Sequence, residues 1–136
     1  MSKTRVNFFF GISSLFTGFL LYVLFRETTY IAKPFAHIPF LKSIRTFCSA
    51  LDIAIVKYYL PDFLWAFSLS CFMVAFCTHS FQGVIAVCCI AAVCGIVWEL
   101  LQWTGILPGT GDILDIITYL TGSSVCFLIN LKERKT

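Results

Sequence analysis

The sequence predicts an all-α integral membrane bundle: four transmembrane helices, plus an amphipathic helix lying in the interface within a long first loop. Three observations carry that expectation. The chain of 136 residues is 59% hydrophobic and 12% charged, more apolar side chain than a soluble domain of this length can bury. Its apolar residues fall into runs long enough to cross a bilayer. Its charges gather at the tails, in one loop and at the ends of those runs.

The first span is expected over 7–25, an unbroken apolar run interrupted only by glycines and small hydroxyls. Lys3 and Arg5 precede it as they would a signal peptide, but the run is too long for an h-region and no small-x-small site precedes Arg26. It therefore reads as a retained helix, with Phe8, Phe9 and Phe10 suited to lipid contact.

The connection over 26–60 begins with Pro34 and Pro39 among Tyr30, Phe35, His37 and Phe40, an aromatic pattern suited to the headgroup level. Over 43–59, Phe47, Leu51, Ile55 and Tyr58 alternate at helical spacing with Arg45, Ser49, Asp52 and Lys57. That is one amphipathic helix, expected to lie in the interface because Asp52 and Lys57 would be costly inside the bilayer.

Pro61-Asp62 opens the second span, expected over 62–77, because proline and an acid both suit a helix start. A turn from Thr78 to Gly83 leads to the third span, over 84–106, whose first half is rich in Ala, Cys and Gly. Small residues of that kind let neighbouring helices approach closely. The fourth span is expected over 112–131. The whole chain reads as a single transmembrane domain.

An even number of spans puts both termini on one side. Both are basic, which favours the cytoplasm, although the first loop carries as many Lys and Arg as the two tails together. The net charge of +3 is not concentrated on a soluble module, so no nucleic-acid partner is expected. Seven cysteines, six of them inside apolar runs and none in a CxxC pair, read as small hydrophobes. No cofactor or metal is expected.

With this topology one membrane face collects Arg26, Asp62, Trp65, Glu99, Gln102, Trp103, Asp112, Asp115 and Tyr119. Glu99 and Gln102 share a helix face, as do Asp112 and Asp115, and a Gly/Pro turn brings the two faces level. Two carboxylates about 6 Å apart at an effective dielectric near 20 repel by roughly 3 kcal/mol. Arg26, shared protons, a cation, or a ligand bearing an amine or hydroxyls would each offset this. The bland alternative makes Asp62, Asp112 and Asp115 helix caps, Glu99 and Gln102 interhelical packing bonds, and the tryptophans interfacial anchors. Gly109-Thr110-Gly111-Asp112 matches the GxGD string of intramembrane aspartyl proteases. Those enzymes need more spans, and a second aspartate in the middle of another helix.

Glu99-x-x-Gln102, a Gly/Pro turn and then Asp115-x-x-x-Tyr119-x-x-Gly122 resemble the C-terminal half of the VanZ-like membrane proteins. The turn lacks that family's Arg, Tyr119 stands where Asn is usual, and Trp65-Ala66 replaces the His that often follows the aspartate of the second span. The resemblance implies a four-helix module of the bacterial inner membrane with a polar outer-face site, whose partners are the bilayer and an envelope lipid or glycan precursor. The leading expectation is therefore a binding site at Glu99, Gln102, Asp112, Asp115, Tyr119, Asp62 and Arg26 for an envelope lipid or glycan, a cation or a partner protein. One alternative is a small hydrolase or transferase on a lipid-linked substrate, with Glu99 or Asp115 as base or metal ligand. Another is a structural subunit of a membrane complex.

Overall fold

The computed structural model describes residues 3–25, 33–35, 37–50, 53–78 and 80–132. Five α-helices account for most of them: α1 (Lys3–Phe25), α2 (Pro39–Ala50), α3 (Leu60–Cys77), α4 (Phe81–Trp103) and α5 (Ile113–Lys132). Four stretches are long and apolar enough to cross a bilayer, namely Lys3–Phe25, Ile55–Cys77, Phe81–Trp103 and Ile113–Leu131. An all-helical, multi-pass membrane protein fits this architecture.

The span boundaries differ from the expectation where local backbone chemistry intervenes. The second span does not begin at Pro61. A π-helical segment, Ile55–Tyr59, runs straight into α3, and the Leu60 N–H reaches the Ile55 carbonyl. Pro61 has no N–H to give the preceding turn and its ring crowds that turn, so a local widening lets the helix pass through it. The single amphipathic helix expected over 43–59 is therefore two pieces: α2 ends at Ala50, and Ile55 onward belongs to the second span. α4 starts earlier than expected because the Ser80 hydroxyl accepts the Gly83 N–H at 3.0 Å as an N-cap. It stops earlier, at Trp103, because Gly105 takes φ 72°. The Gly105 N–H then returns to the Gln102 carbonyl and the Ile106 N–H to the Leu101 carbonyl, each at 3.0 Å. This paired closure of the last turn is the Schellman arrangement, with glycine in the left-handed position.

α3 is the centre of the bundle, packed against α1 on one side and against α4 and α5 on the other. In α1 the inward face is small and polar, and most of its phenylalanines point out. In α1 the buried positions are Asn7, Gly11, Ser14, Gly18 and Val23, while Phe9 and Phe16 are exposed. This inversion of soluble amphipathicity follows when lipid is the surroundings and helices gain by close approach and shared hydrogen bonds. Ser14 donates to the Leu64 carbonyl at 2.9 Å, and Ser68 donates back to the Gly11 carbonyl at 2.8 Å. Asn7 and Asn130 exchange side-chain amide bonds at 2.9 and 3.0 Å, joining the first helix to the last. At Gly122 a Cβ would lie 2.6 Å from the Phe63 carbonyl, so α3 and α5 touch backbone to backbone.

Cys71, Val74, Val84, Val87, Cys88 and Cys126 form the packed core near the α3–α4 turn. All seven cysteines are free. The Cys71 thiol donates to the Cys126 sulfur at 3.6 Å, a hydrogen bond and far too long for a disulfide. Arg45, expected on the polar face of a surface helix, instead turns inward and is buried. Its Nε donates to the Val23 carbonyl at 2.9 Å, satisfying an end-of-helix acceptor of α1 with a cation.

Candidate functional site: a buried glutamate beside a lateral cavity

Glu99 lies one turn before the end of α4, about 6 Å along the axis from Trp103 at the helical rise. It is 1% exposed, among the largest fully buried side chains of the protein. Its Oε2 accepts the Asp112 N–H at 3.0 Å, and its Oε1 accepts the Tyr119 hydroxyl at 3.3 Å. In the amide orientation that satisfies its neighbours, Gln102 donates to Glu99 Oε2 at 3.3 Å and accepts the Trp98 indole N–H at 3.0 Å. Helix spacing puts Glu99 and Gln102 on one face, and the returning chain supplies the remaining donors. The buried carboxylate thus joins α4, the turn and α5 through neutral groups. Hydrogen bonds of this kind offset part of the cost of burying the group.

The turn is shaped to allow this. Gly109 passes against the Gln102 amide and Gly111 against the Trp103 indole, and a Cβ at either position would collide. These are the glycines of the protease-like string. Here they carry the chain over two side chains, and Asp112 is a cap: its Oδ1 accepts the Leu114 N–H at 2.9 Å. The carboxylates of Asp112 and Asp115 lie within electrostatic reach of the Tyr59 phenol, and those of Asp62, Glu99 and Asp115 within reach of the Tyr119 phenol. Tyr119 touches one of the expected acids, Glu99, and shares a cavity lining with another, Asp62. Asp115 is half-buried in the first turn of α5. Arg26 lies outside the described residues, as does His79.

Tyr119 reaches Glu99 by crossing α4 at Gly95, where a Cβ would overlap the ring. On its other side lies a lateral cavity of about 460 Å³ between α3 and α4. Tyr22, Asp62, Trp65, Trp98 and Tyr119 wall it, and Ala66, Leu69, Ala91 and Gly95 form the rest of the lining. Asp62, Trp65, Ala66 and Leu69 recur at helical spacing along one face of α3, and Ala91, Gly95 and Trp98 along the facing side of α4. The turn half of this helix pair is filled by the valine and cysteine core. In the other half the inward residues are small, and the space stays open.

Asp62 and Tyr119, both expected at the site, line the cavity, as does Trp65. Glu99, Gln102 and Asp112 form the hydrogen-bonded support behind it. Tyr22 and Leu69 carry no signal in the sequence, Ala91 and Gly95 read there only as small residues for close helix packing, and Trp98 only as an anchor. The signal available for Gly95 was its position one turn before Glu99 on the same face. Tyr22 comes from a distant helix, and no spacing rule connects it to the others. Among the described residues no three His, Cys, Asp or Glu side chains are grouped to hold a metal ion. The chain matches no family model, no curated protein and no solved structure.

Proposed function

We propose that this is a membrane-embedded binding protein of the VanZ-like type in the bacterial inner membrane, which takes an amphiphilic envelope component into the cavity between α3 and α4. The observation that carries the reading is the cavity itself: about 460 Å³, walled by aromatic and small apolar side chains, with Asp62 and Tyr119 as its polar members. Such a lining suits an apolar body with one polar group. Both termini lie in the cytoplasm in this reading, the acidic end faces outward, and α2 rests in the outer interface with Phe40 and Phe47, both strongly exposed, toward lipid.

The state of Glu99 supports binding over catalysis. A general base must come within hydrogen-bond reach of its substrate, whereas Glu99 is 1% exposed, does not line the cavity, and accepts from Asp112, Tyr119 and Gln102. The same observation favours a second, structural reading of Glu99, Gln102 and Asp112, as the clasp that holds the α4–α5 hairpin beside the cavity.

Photoactivatable lipids carrying a diazirine in the acyl chain test the binding reading in membrane vesicles. Cross-links should concentrate on the cavity segments around Trp65–Leu69 and Ala91–Trp98. An even distribution that includes the outward faces of α1, at Phe9 and Phe16, would remove the reading. Impermeant thiol labelling of cysteines introduced at Pro108 and at Ser80, in a protein lacking its exposed native cysteines, tests orientation. Outside labelling at Ser80 alone would place the acidic end in the cytoplasm.

A further inference from the structure

We propose that Glu99, which does not itself line the cavity between α3 and α4, is a positioning residue for it: two hydrogen-bonded arms tie the Trp98 and Tyr119 side chains of the cavity wall to its carboxylate and couple them to the turn over 104–112. This rests on the reading of that cavity as a ligand site and adds the residue that sets its shape.

Trp98 and Tyr119 both line the cavity, and Glu99 does not. The Tyr119 hydroxyl donates to Glu99 Oε1 at 3.3 Å, which is the first arm. The second arm runs through Gln102 and has a fixed direction. An indole N–H is a donor only, so the Trp98 N–H takes the Gln102 oxygen at 3.0 Å and leaves the amide nitrogen to donate to Glu99 Oε2 at 3.3 Å. The same Oε2 accepts the Asp112 N–H at 3.0 Å, where the turn between α4 and α5 ends. One carboxylate therefore holds two wall residues and the returning chain.

A clasp that held only the α4–α5 hairpin would need neither wall residue. Trp98 is 50% exposed, so packing restrains the indole only in part and its bond to Gln102 sets its direction. Tyr119 occupies the space left by the missing side chain of Gly95, and its hydroxyl ties the tip of the ring to Glu99. Glu99 is 1% exposed, so bulk water does not replace a donor it loses. An occupant of the cavity that moves either ring thus disturbs the bond to the turn, and a turn that releases Glu99 frees both rings. Coupling of this kind is reciprocal between binding and its distant partner.

The full-length protein in membrane vesicles supplies a test from each end. Trp98→Phe and Tyr119→Phe keep a ring in the wall and remove one donor each. Either should speed hydrogen exchange in the turn over 104–112 by about fivefold, the equivalent of one hydrogen bond of about 1 kcal/mol. Trp65→Phe alters the same wall from α3 and should leave the turn unchanged. From the other end, Glu99→Gln leaves one accepting oxygen for donors that arrive on two sides, so an arm is lost. With the acyl-chain diazirine lipid as probe, the ratio of cross-links at Ala91–Trp98 to those at Phe9 and Phe16 should fall by about fivefold. Lower stability alone reduces the amount of folded protein, not that ratio within it. Gln102→Met removes the Trp98 arm only, and it serves if Glu99→Gln does not fold. Turn exchange unchanged in both phenylalanine variants, or raised equally by Trp65→Phe, overturns the proposal. So does a cross-link ratio that Glu99→Gln and Gln102→Met leave as it was. If the unaltered protein cross-links no more in the cavity than at Phe9 and Phe16 while both phenylalanine variants loosen the turn, the ligand-site reading fails and the coupling through Glu99 stands.

Discussion

The ring of Tyr119 lies against the α4 backbone at Gly95, in the space that a methyl group there would occupy, and its hydroxyl donates to Glu99 Oε1 at 3.3 Å. One missing side chain thus lets α5 place a phenol between a buried carboxylate and an open cavity.

Gly95→Ala should displace that ring. Inserting a methyl into a packed site costs about 1–3 kcal/mol, and the loss should appear as a lower thermal unfolding midpoint in detergent. Tyr119→Ala removes the obstacle. The double variant Gly95→Ala/Tyr119→Ala should therefore be no less stable than Tyr119→Ala alone. Simple additivity of the two losses would show that the contact is not what makes Gly95→Ala costly.

Glu99 should behave as a structural clasp. Each buried donor left without an acceptor costs about 1–3 kcal/mol, and Glu99→Ala strands the Asp112 N–H, the Tyr119 hydroxyl and the Gln102 amide together. Glu99→Gln retains one accepting oxygen and should lose roughly half as much. Chemical unfolding of the two variants provides the comparison. A gain in stability for Glu99→Gln would instead mark a site held under strain for a ligand.

At the opposite end of the bundle, the reciprocal Asn7–Asn130 pair ties α1 to α5. A double-mutant cycle with Asn7→Leu and Asn130→Leu should return a coupling of about 0.6 kcal/mol, and no more than about 1.7, as found for hydrogen bonds between membrane helices. A coupling near zero would mean that each amide finds an equivalent partner without the other.

Gly105 isolates a pure backbone effect. It sits at φ 72° with nothing within 4 Å of an added Cβ. Gly105→Ala should cost about 1 kcal/mol from left-handed strain alone, and Gly105→Asn less, because asparagine tolerates that conformation. Equal losses for the two, measured by thermal unfolding, would point to a cause other than φ.

The helical class, the number of apolar stretches long enough to span, and the common face of Glu99 and Gln102 were legible from the order of the amino acids. Each follows from local rules: apolar run length, and a rise and rotation per residue that do not depend on the neighbours. The π-helical passage through Pro61 and the glycine closure at Gly105 were local too, but they depend on how a backbone resolves a lost donor or a left-handed residue, which hydrophobic patterning does not register. Packing of the helices, which no local rule supplies, settled which donors reach Glu99, that Arg45 turns inward, and that aromatics from four helices line one cavity. Those outcomes depend on how far each helix is rotated about its axis and how closely it approaches its neighbour. Backbone contacts between residues far apart in the chain, such as Gly122 against Phe63, set both quantities.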